Sequence, residues 1–94
     1  ATVPLAFLEE CAQRCRAHDA ILACDEAYSE IWFAQPPASV LQVSDLRNVV
    51  AFNTLSKRSA MAGYRLGLAA GDPEIIAALK RYRPNVGVAP LAIV

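Results

Sequence analysis

Residues 54–67 read Thr-Leu-Ser-Lys-Arg-Ser-Ala-Met-Ala-Gly-Tyr-Arg-Leu-Gly. An apolar run, Val-Val-Ala-Phe at 49–52, leads into them, and a second, Leu-Gly-Leu-Ala-Ala-Gly at 66–71, leads out. Short unbroken apolar runs read as strands covered on both faces. Lys57 therefore stands just past the end of a strand, with the hydroxyls of Thr54 and Ser56 on its N-terminal side. Arg65 comes eight residues later, after a glycine, Gly63, that frees the backbone.

Upstream, residues 4–18 predict a helix. Pro4 suits a first turn, and Leu8, Cys11 and Cys15 recur at spacings of three and four on one face. Glu9, Glu10, Gln13, Arg14 and Arg16 take the wetter side. His18 falls at the C-terminal end, where the helix dipole favours a cation or donor. Two thiols one turn apart make a poor metal site without further ligands, so Cys11 and Cys15 read as core residues and no metal is expected. Residues 20–24, Ala-Ile-Leu-Ala-Cys, form another strand-length apolar run, which the acidic pair Asp25-Glu26 ends. Helix and strand make an αβ unit. Ligands of parallel sheets bind beyond the carboxyl ends of the strands, which is where Asp25 falls, three residues before Tyr28.

Between these strands, Pro36-Pro37 marks a loop and residues 44–47 allow a short helical turn. Arg58 reads as a solvated charge, Glu26, Ser29 and Glu30 as loop or supporting residues, and Trp32 and Phe33 as packing beside the site. Downstream, Asp72-Pro73-Glu74 is a strong helix start: an acidic N-cap, proline at the first position, and a second acid at the positive end of the dipole. Ile75, Ile76, Leu79 and Tyr82 form its apolar stripe. Lys80, Arg81 and Arg83 load the last turn, with Lys80 facing solvent, and Pro84 ends it. The tail at 85–94 closes on an apolar run.

The composition narrows the function classes. The chain has 94 residues and a net charge of zero, which gives no electrostatic case for nucleic acid or an anionic membrane. No secretory leader or bilayer-length run is visible. Three cysteines, an odd number, read as reduced thiols of a cytoplasmic protein. Apolar residues make up 55%, rich for so short a chain, which predicts part of a larger core.

A lysine able to condense with an aldehyde, beside hydroxyls and an arginine able to hold phosphate, is the donor set that pyridoxal phosphate needs. Leu55 and Ser56 before Lys57, and Ala60, Met61, Gly63, Arg65, Leu66 and Gly67 after it, resemble the Schiff-base lysine motif of fold-type I pyridoxal-phosphate enzymes, in particular class I/II aminotransferases. Thr54 departs from that pattern, which has serine or glycine there, but keeps a hydroxyl. Asp25 and Tyr28 resemble the family's second signature. The resemblance implies an α/β fold, a mainly parallel, helix-covered sheet in which the strand at 66–71 runs antiparallel. It implies that residues 1–94 are part of the cofactor-binding large domain, with the N-terminal part and the C-terminal small domain outside this chain.

It also implies roles. Lys57 carries the cofactor and moves the α-proton, Asp25 holds the ring nitrogen protonated, Tyr28 bonds the ring oxygen, and Arg65, Thr54 and Ser56 anchor the phosphate. The enzyme would be a cytoplasmic homodimer exchanging amino groups between amino acids and 2-oxo acids. Residues 55–90 look most similar to succinyldiaminopimelate transaminases of lysine biosynthesis. Other class I/II aminotransferases and carbon–sulfur lyases share the motifs, and a non-catalytic α/β binding module is the alternative from another class. The isolated 94-residue chain is expected to be inactive, because the upstream phosphate loop and the arginine for the substrate carboxylate are not in it.

Overall fold

The structure, a computed structural model, describes residues 2–83. Pro84, expected to stop the last helix, and the tail at 85–94 lie outside the described residues.

Helix α1 spans Leu5–Ala17, with Pro4 at the N-cap rather than inside the first turn. Its buried stripe is Leu8 and Ala12, with Cys11 and Cys15 half-buried beside them. Ala12 is fully covered. Its missing bulk lets α1 lie close against what it packs on. The helix closes through four bonds: His18 N–H to the carbonyls of Arg14 and Cys15, both at 3.2 Å, Asp19 N–H to Arg16 at 3.3 Å, and Ala20 N–H to Cys15 at 2.8 Å. Asp19 is left-handed here, with φ 52°. Ala20 still belongs to the helix end, so strand β1 is Leu22–Asp25 and begins two residues later than its apolar run.

Strand β2, Val49–Thr54, pairs with β1 in parallel, Leu22 opposite Val49 and Asp25 opposite Phe52. Strand β3, Gly67–Gly71, pairs antiparallel with β2, Thr54 opposite Gly67 and Val50 opposite Gly71. The sheet order is β1-β2-β3, mixed as expected. Leu22, Cys24, Val49 and Ala51 share the face that packs with Leu8, Ala12, Val40 and Val43. Val40 and Val49 are fully buried, each contributing about 1.5–3 kcal/mol of apolar burial. The opposite face is barer than unbroken runs imply: Ala23, Asp25 and Phe52 are exposed there. Burial pushes the Cys24 thiol up from its ordinary range, with Glu26, Cys11 and Cys15 adding to the shift.

The helical turn expected at 44–47 forms instead at Val40–Gln42, a 3-10 turn. A capping box explains the move: Ser39 Oγ accepts from Leu41 N–H at 3.1 Å, and Gln42 Oε1 accepts from Ser39 N–H at 2.9 Å. At 45–47 the Asp45 carboxylate draws Arg47 back on itself, accepting from Arg47 Nη2 at 2.7 Å. That hydrogen bond lowers its pKa to about 2.

Helix α3, Pro73–Tyr82, starts as its sequence dictates. Asp72 caps it by accepting from Glu74 N–H at 2.8 Å, and accepts from Asn48 N–H at 2.8 Å with its other oxygen. One buried carboxylate thus ties the entrance of β2 to the start of α3. The N–H groups of Asn48 and Glu74 hold it below the usual carboxylate range. Ile75, Ile76 and Leu79 are half-buried as a stripe, whereas Tyr82 is exposed, and Lys80 faces solvent. Gly71 has φ +145°, and a Cβ there would lie 2.2 Å from the Val49 carbonyl oxygen. Only glycine lets β3 end against β2 in this way.

Candidate active site

The parallel pairing of β1 and β2 brings Asp25 and the turn after Thr54 to one edge of the sheet. The ladder ends with Glu26 N–H donating to the Phe52 carbonyl at 2.8 Å. Beyond that bond β1 gives way to the loop that carries Tyr28, and β2 runs on to Thr54 and the segment that carries Lys57.

Lys57 lies just past the end of β2, as expected, on a one-turn helix, α2, Leu55–Arg58. Thr54 explains it. Its extended backbone ends β2, and its Oγ1 accepts from Ser56 N–H at 3.1 Å, capping the turn. The same hydroxyl reaches the Leu66 carbonyl at 3.0 Å. A carbonyl can only accept, so the Thr54 proton is committed there. Thr54 Oγ1 and Ser56 Oγ lie 3.0 Å apart. The two hydroxyls thus form one hydrogen-bonded pair at the start of the turn that carries Lys57.

The segment from 55 to 66 folds back to its start. The Leu66 carbonyl accepts from Leu55 N–H at 3.1 Å, and the Leu55 carbonyl accepts from Met61 N–H at 3.3 Å. Closing so tight a loop forces two non-glycine residues left-handed, Ala60 at φ 52° and Arg65 at φ 54°. Each such residue costs roughly 1–2 kcal/mol. Arg65 follows a second 3-10 turn, Ala62–Tyr64, and its Nη1 donates to the Ala62 carbonyl at 3.2 Å. The rest of its guanidinium is exposed and forms no ion pair among the described residues.

Asp25 is exposed at the end of β1, with Oδ1 accepting from Ala27 N–H at 3.0 Å. That bond turns the chain and aims the next residues across the sheet edge. Tyr28, 63% exposed, lies with its ring centroid 5.7 Å from Lys57 Nζ, inside the range of cation–ring attraction. Lys57 is exposed and forms no ion pair among the described residues. Asp25 and Tyr28 also border an open groove of about 700 Å³ shared with Ile31 and Trp32; Lys57 and Arg65 are not in its wall. Trp32 and Phe33 both border this groove; Trp32 is about half exposed and Phe33 fully exposed.

The structure shows residues that carry weight here without a local signal. Glu26 accepts from Ser39 Oγ at 2.9 Å and from Val40 N–H at 2.8 Å, so the residue after Asp25 anchors the buried 3-10 turn. Asn53 bridges to Ser29, and Arg58 pairs with Glu30 at 3.7 Å rather than standing free in solvent. These partners are 13 to 28 positions apart, beyond the reach of any periodic pattern. Among the described residues no group of three His, Cys, Asp or Glu side chains is placed to hold a metal ion.

The donor set fits pyridoxal phosphate: an exposed primary amine, a carboxylate with one oxygen still unengaged among the described residues, a phenol beside the amine, and a guanidinium with a hydroxyl for phosphate.

Comparison with known proteins gives the family. The family profile described as "Aminotransferase class I and II" matches residues 1–91. An LL-diaminopimelate aminotransferase of Nitratidesulfovibrio vulgaris (strain DP4) is 39% identical over 89 residues, covering 92% of this chain and 23% of that protein. A histidinol-phosphate aminotransferase of Geobacter sulfurreducens is 44% identical over 89 residues, covering 95% of this chain and 24% of its own length. Among solved structures, the aminotransferase AspB from Helicobacter pylori superposes with a TM-score of 0.87 at 35% identity, over 95% of this chain and 25% of that one. A probable N-succinyldiaminopimelate aminotransferase from Thermus thermophilus gives 0.84 at 30% identity, over 92% and 24%. The chain spans about a quarter of the length of these relatives. Its mixed sheet and helices match the aminotransferase fold, and the chain belongs to the class I and II aminotransferase family.

Proposed function

We propose that this chain is the central part of the large domain of a pyridoxal-phosphate-dependent aminotransferase, and that Lys57 is its reactive amine. The observation that carries the reading is the placement of the Lys57 amine beside the Tyr28 ring, at the sheet edge where Asp25 ends β1. Pyridoxal phosphate, when bound, supplies an aldehyde that takes up the amino group and a ring that withdraws electrons from the substrate α-carbon. Arg65 would hold its phosphate by charge, with the Ser56 and Thr54 hydroxyl pair as hydrogen-bonding partners. Thr54 also fixes the turn: its own proton ties it to Leu66, next to Arg65.

With the cofactor bound, the Asp25 carboxylate would keep the ring nitrogen protonated, and the Tyr28 phenol would hydrogen-bond the ring oxygen. Lys57 Nζ, close to that phenol, takes the α-proton as a general base and returns it as a general acid. The reaction moves an amino group between an amino acid and a 2-oxo acid.

Diaminopimelate-type donors are the substrate class we favour. Relatives named as LL-diaminopimelate aminotransferases at 36–39% identity support it, as does the neighbour named a probable N-succinyldiaminopimelate aminotransferase. The relative named histidinol-phosphate aminotransferase, at 44%, favours a second reading. The test is an oxo-acid assay on the complete protein with LL-diaminopimelate, its N-succinyl form and histidinol phosphate as donors. A diaminopimelate donor is expected to turn over fastest. Preference for histidinol phosphate selects the second reading, and no turnover with these or any common amino acid removes both.

A further inference from the structure

Three successive residues of the loop after β1 each touch a different residue at the end of β2 or in the turn that follows. The Tyr28 ring lies 5.7 Å from Lys57 Nζ, Ser29 Oγ accepts from Asn53 Nδ2 at 3.1 Å, and Glu30 Oε1 lies 3.7 Å from Arg58 Nη1. The three are unequal. Both side chains of the Arg58–Glu30 pair are about half exposed, and such pairs contribute little. The cation–ring contact is near the long end of its range. The Asn53 amide is engaged at both ends. Its Oδ1 accepts from Thr54 N–H at 2.6 Å, so the backbone fixes which way the amide points and leaves Nδ2 for Ser29.

We propose that Asn53 and Ser29 form a positioning bridge that holds the Tyr28 phenol beside the Lys57 amine. The main chain does not do this. Its last bond between the two strands is Glu26 N–H to the Phe52 carbonyl, and past it the β1 side enters a loop while β2 continues against β3 to Thr54 and into α2. Asn53 is the first residue beyond that bond, and its side chain extends the pairing by one more rung. The bridge rests on the reading that Lys57 is the reactive amine, because it sets where the phenol sits relative to that amine. Neither Asn53 nor Ser29 touches the reacting atoms; both act through Tyr28 and Lys57. Misplacing a group by about an ångström costs up to about 10²-fold in rate, so a loosened loop should register in the chemical step.

The test uses the complete protein with Ser29→Ala, Asn53→Ala, the double variant and Ser29→Thr. Two properties are read. One is the single-turnover rate with saturating amino donor, with pyridoxal phosphate bound. The other is the rate at which acetic anhydride labels Lys57 in cofactor-free protein, followed by peptide mass. Ser29→Ala and Asn53→Ala are each expected to slow single turnover about tenfold with little change in KM, and to speed labelling of Lys57 as the Tyr28 loop moves away. Ser29→Thr, which keeps the hydroxyl, should behave as the parent. The double variant should be no slower than Asn53→Ala alone, since both remove one bridge. Ser29→Ala indistinguishable from the parent in both properties, or single-variant losses that multiply in the double variant, overturns the bridge. A parent protein that transaminates nothing overturns the aminotransferase reading instead, while the labelling rates still decide whether the bridge exists.

Discussion

Asp25→Asn separates the electrostatics of the site from its folding. Among the described residues the Asp25 side chain makes one hydrogen bond, Oδ1 accepting from Ala27 N–H at 3.0 Å, and an asparagine amide oxygen can accept the same bond. The strand end is held by a main-chain bond, Glu26 N–H to Phe52, which the substitution leaves alone. Stability should therefore change by no more than about 0.5 kcal/mol, as for ordinary surface substitutions. The reaction loses much more. A neutral amide cannot hold a proton on the ring nitrogen as a carboxylate does, and removing one preorganised electrostatic partner costs about 2.7–4 kcal/mol. That converts to a fall of roughly 10²–10³ in the chemical step. The exposed carboxylate reaches this range only once a bound ring excludes water from it. Rapid-mixing single turnover on the complete protein, run beside thermal melting, measures both halves. An unchanged single-turnover rate would refute the role, and a loss of rate matched by a large drop in melting temperature would show that Asp25 is structural.

Three further outcomes follow from the fold. Gly71→Ala places a Cβ 2.2 Å from the Val49 carbonyl oxygen at a φ of +145°, so it should destabilise by at least about 2 kcal/mol, read as a lower melting temperature of the complete protein. Glu26→Ala strips the Val40 N–H and the Ser39 hydroxyl of their acceptor; charge-assisted bonds of this kind contribute about 1.5–3 kcal/mol each, and hydrogen exchange at Val40 should accelerate while exchange in α3 does not. Asp72 has its pKa lowered in the fold, so its stabilisation is complete above the usual carboxylate range and drains away as pH falls below about 4. The parent should lose stability through that acid window more steeply than Asp72→Asn, as followed by melting temperature against pH.

Much of this was legible in the sequence for local reasons. The helix start at Asp72-Pro73-Glu74 needs only neighbours in sequence, and it formed as written. The apolar runs located all three strands, although β1 shifted to Leu22 because the left-handed Asp19 and the Ala20–Cys15 bond spend two residues on closing α1. The antiparallel β3 came from family resemblance, since its run reads the same in either direction. Local rules failed where two signals competed. Residues 44–47 had acceptable helix composition, but Ser39 and Gln42 form a reciprocal cap and captured the turn. The motif located Lys57 without showing that Thr54 would cap a helical turn there and spend its proton on Leu66. Asn53 and Glu30 were opaque because only the paired register of β1 and β2 brings their partners near, and Glu26 because its partners lie in the 3-10 turn 13 and 14 positions on.

The central claim is that Lys57 is the amine that carries the cofactor. These 94 residues hold one other lysine, Lys80, which lies on α3 facing solvent, so within this segment the choice is between two peptides. Borohydride reduction of the complete holoprotein followed by peptide mapping makes that choice within this segment. The account predicts a pyridoxyl group on Lys57, and its loss in Lys57→Ala together with turnover. A label on Lys80, or none on this segment in a protein that carries the cofactor elsewhere, would contradict it.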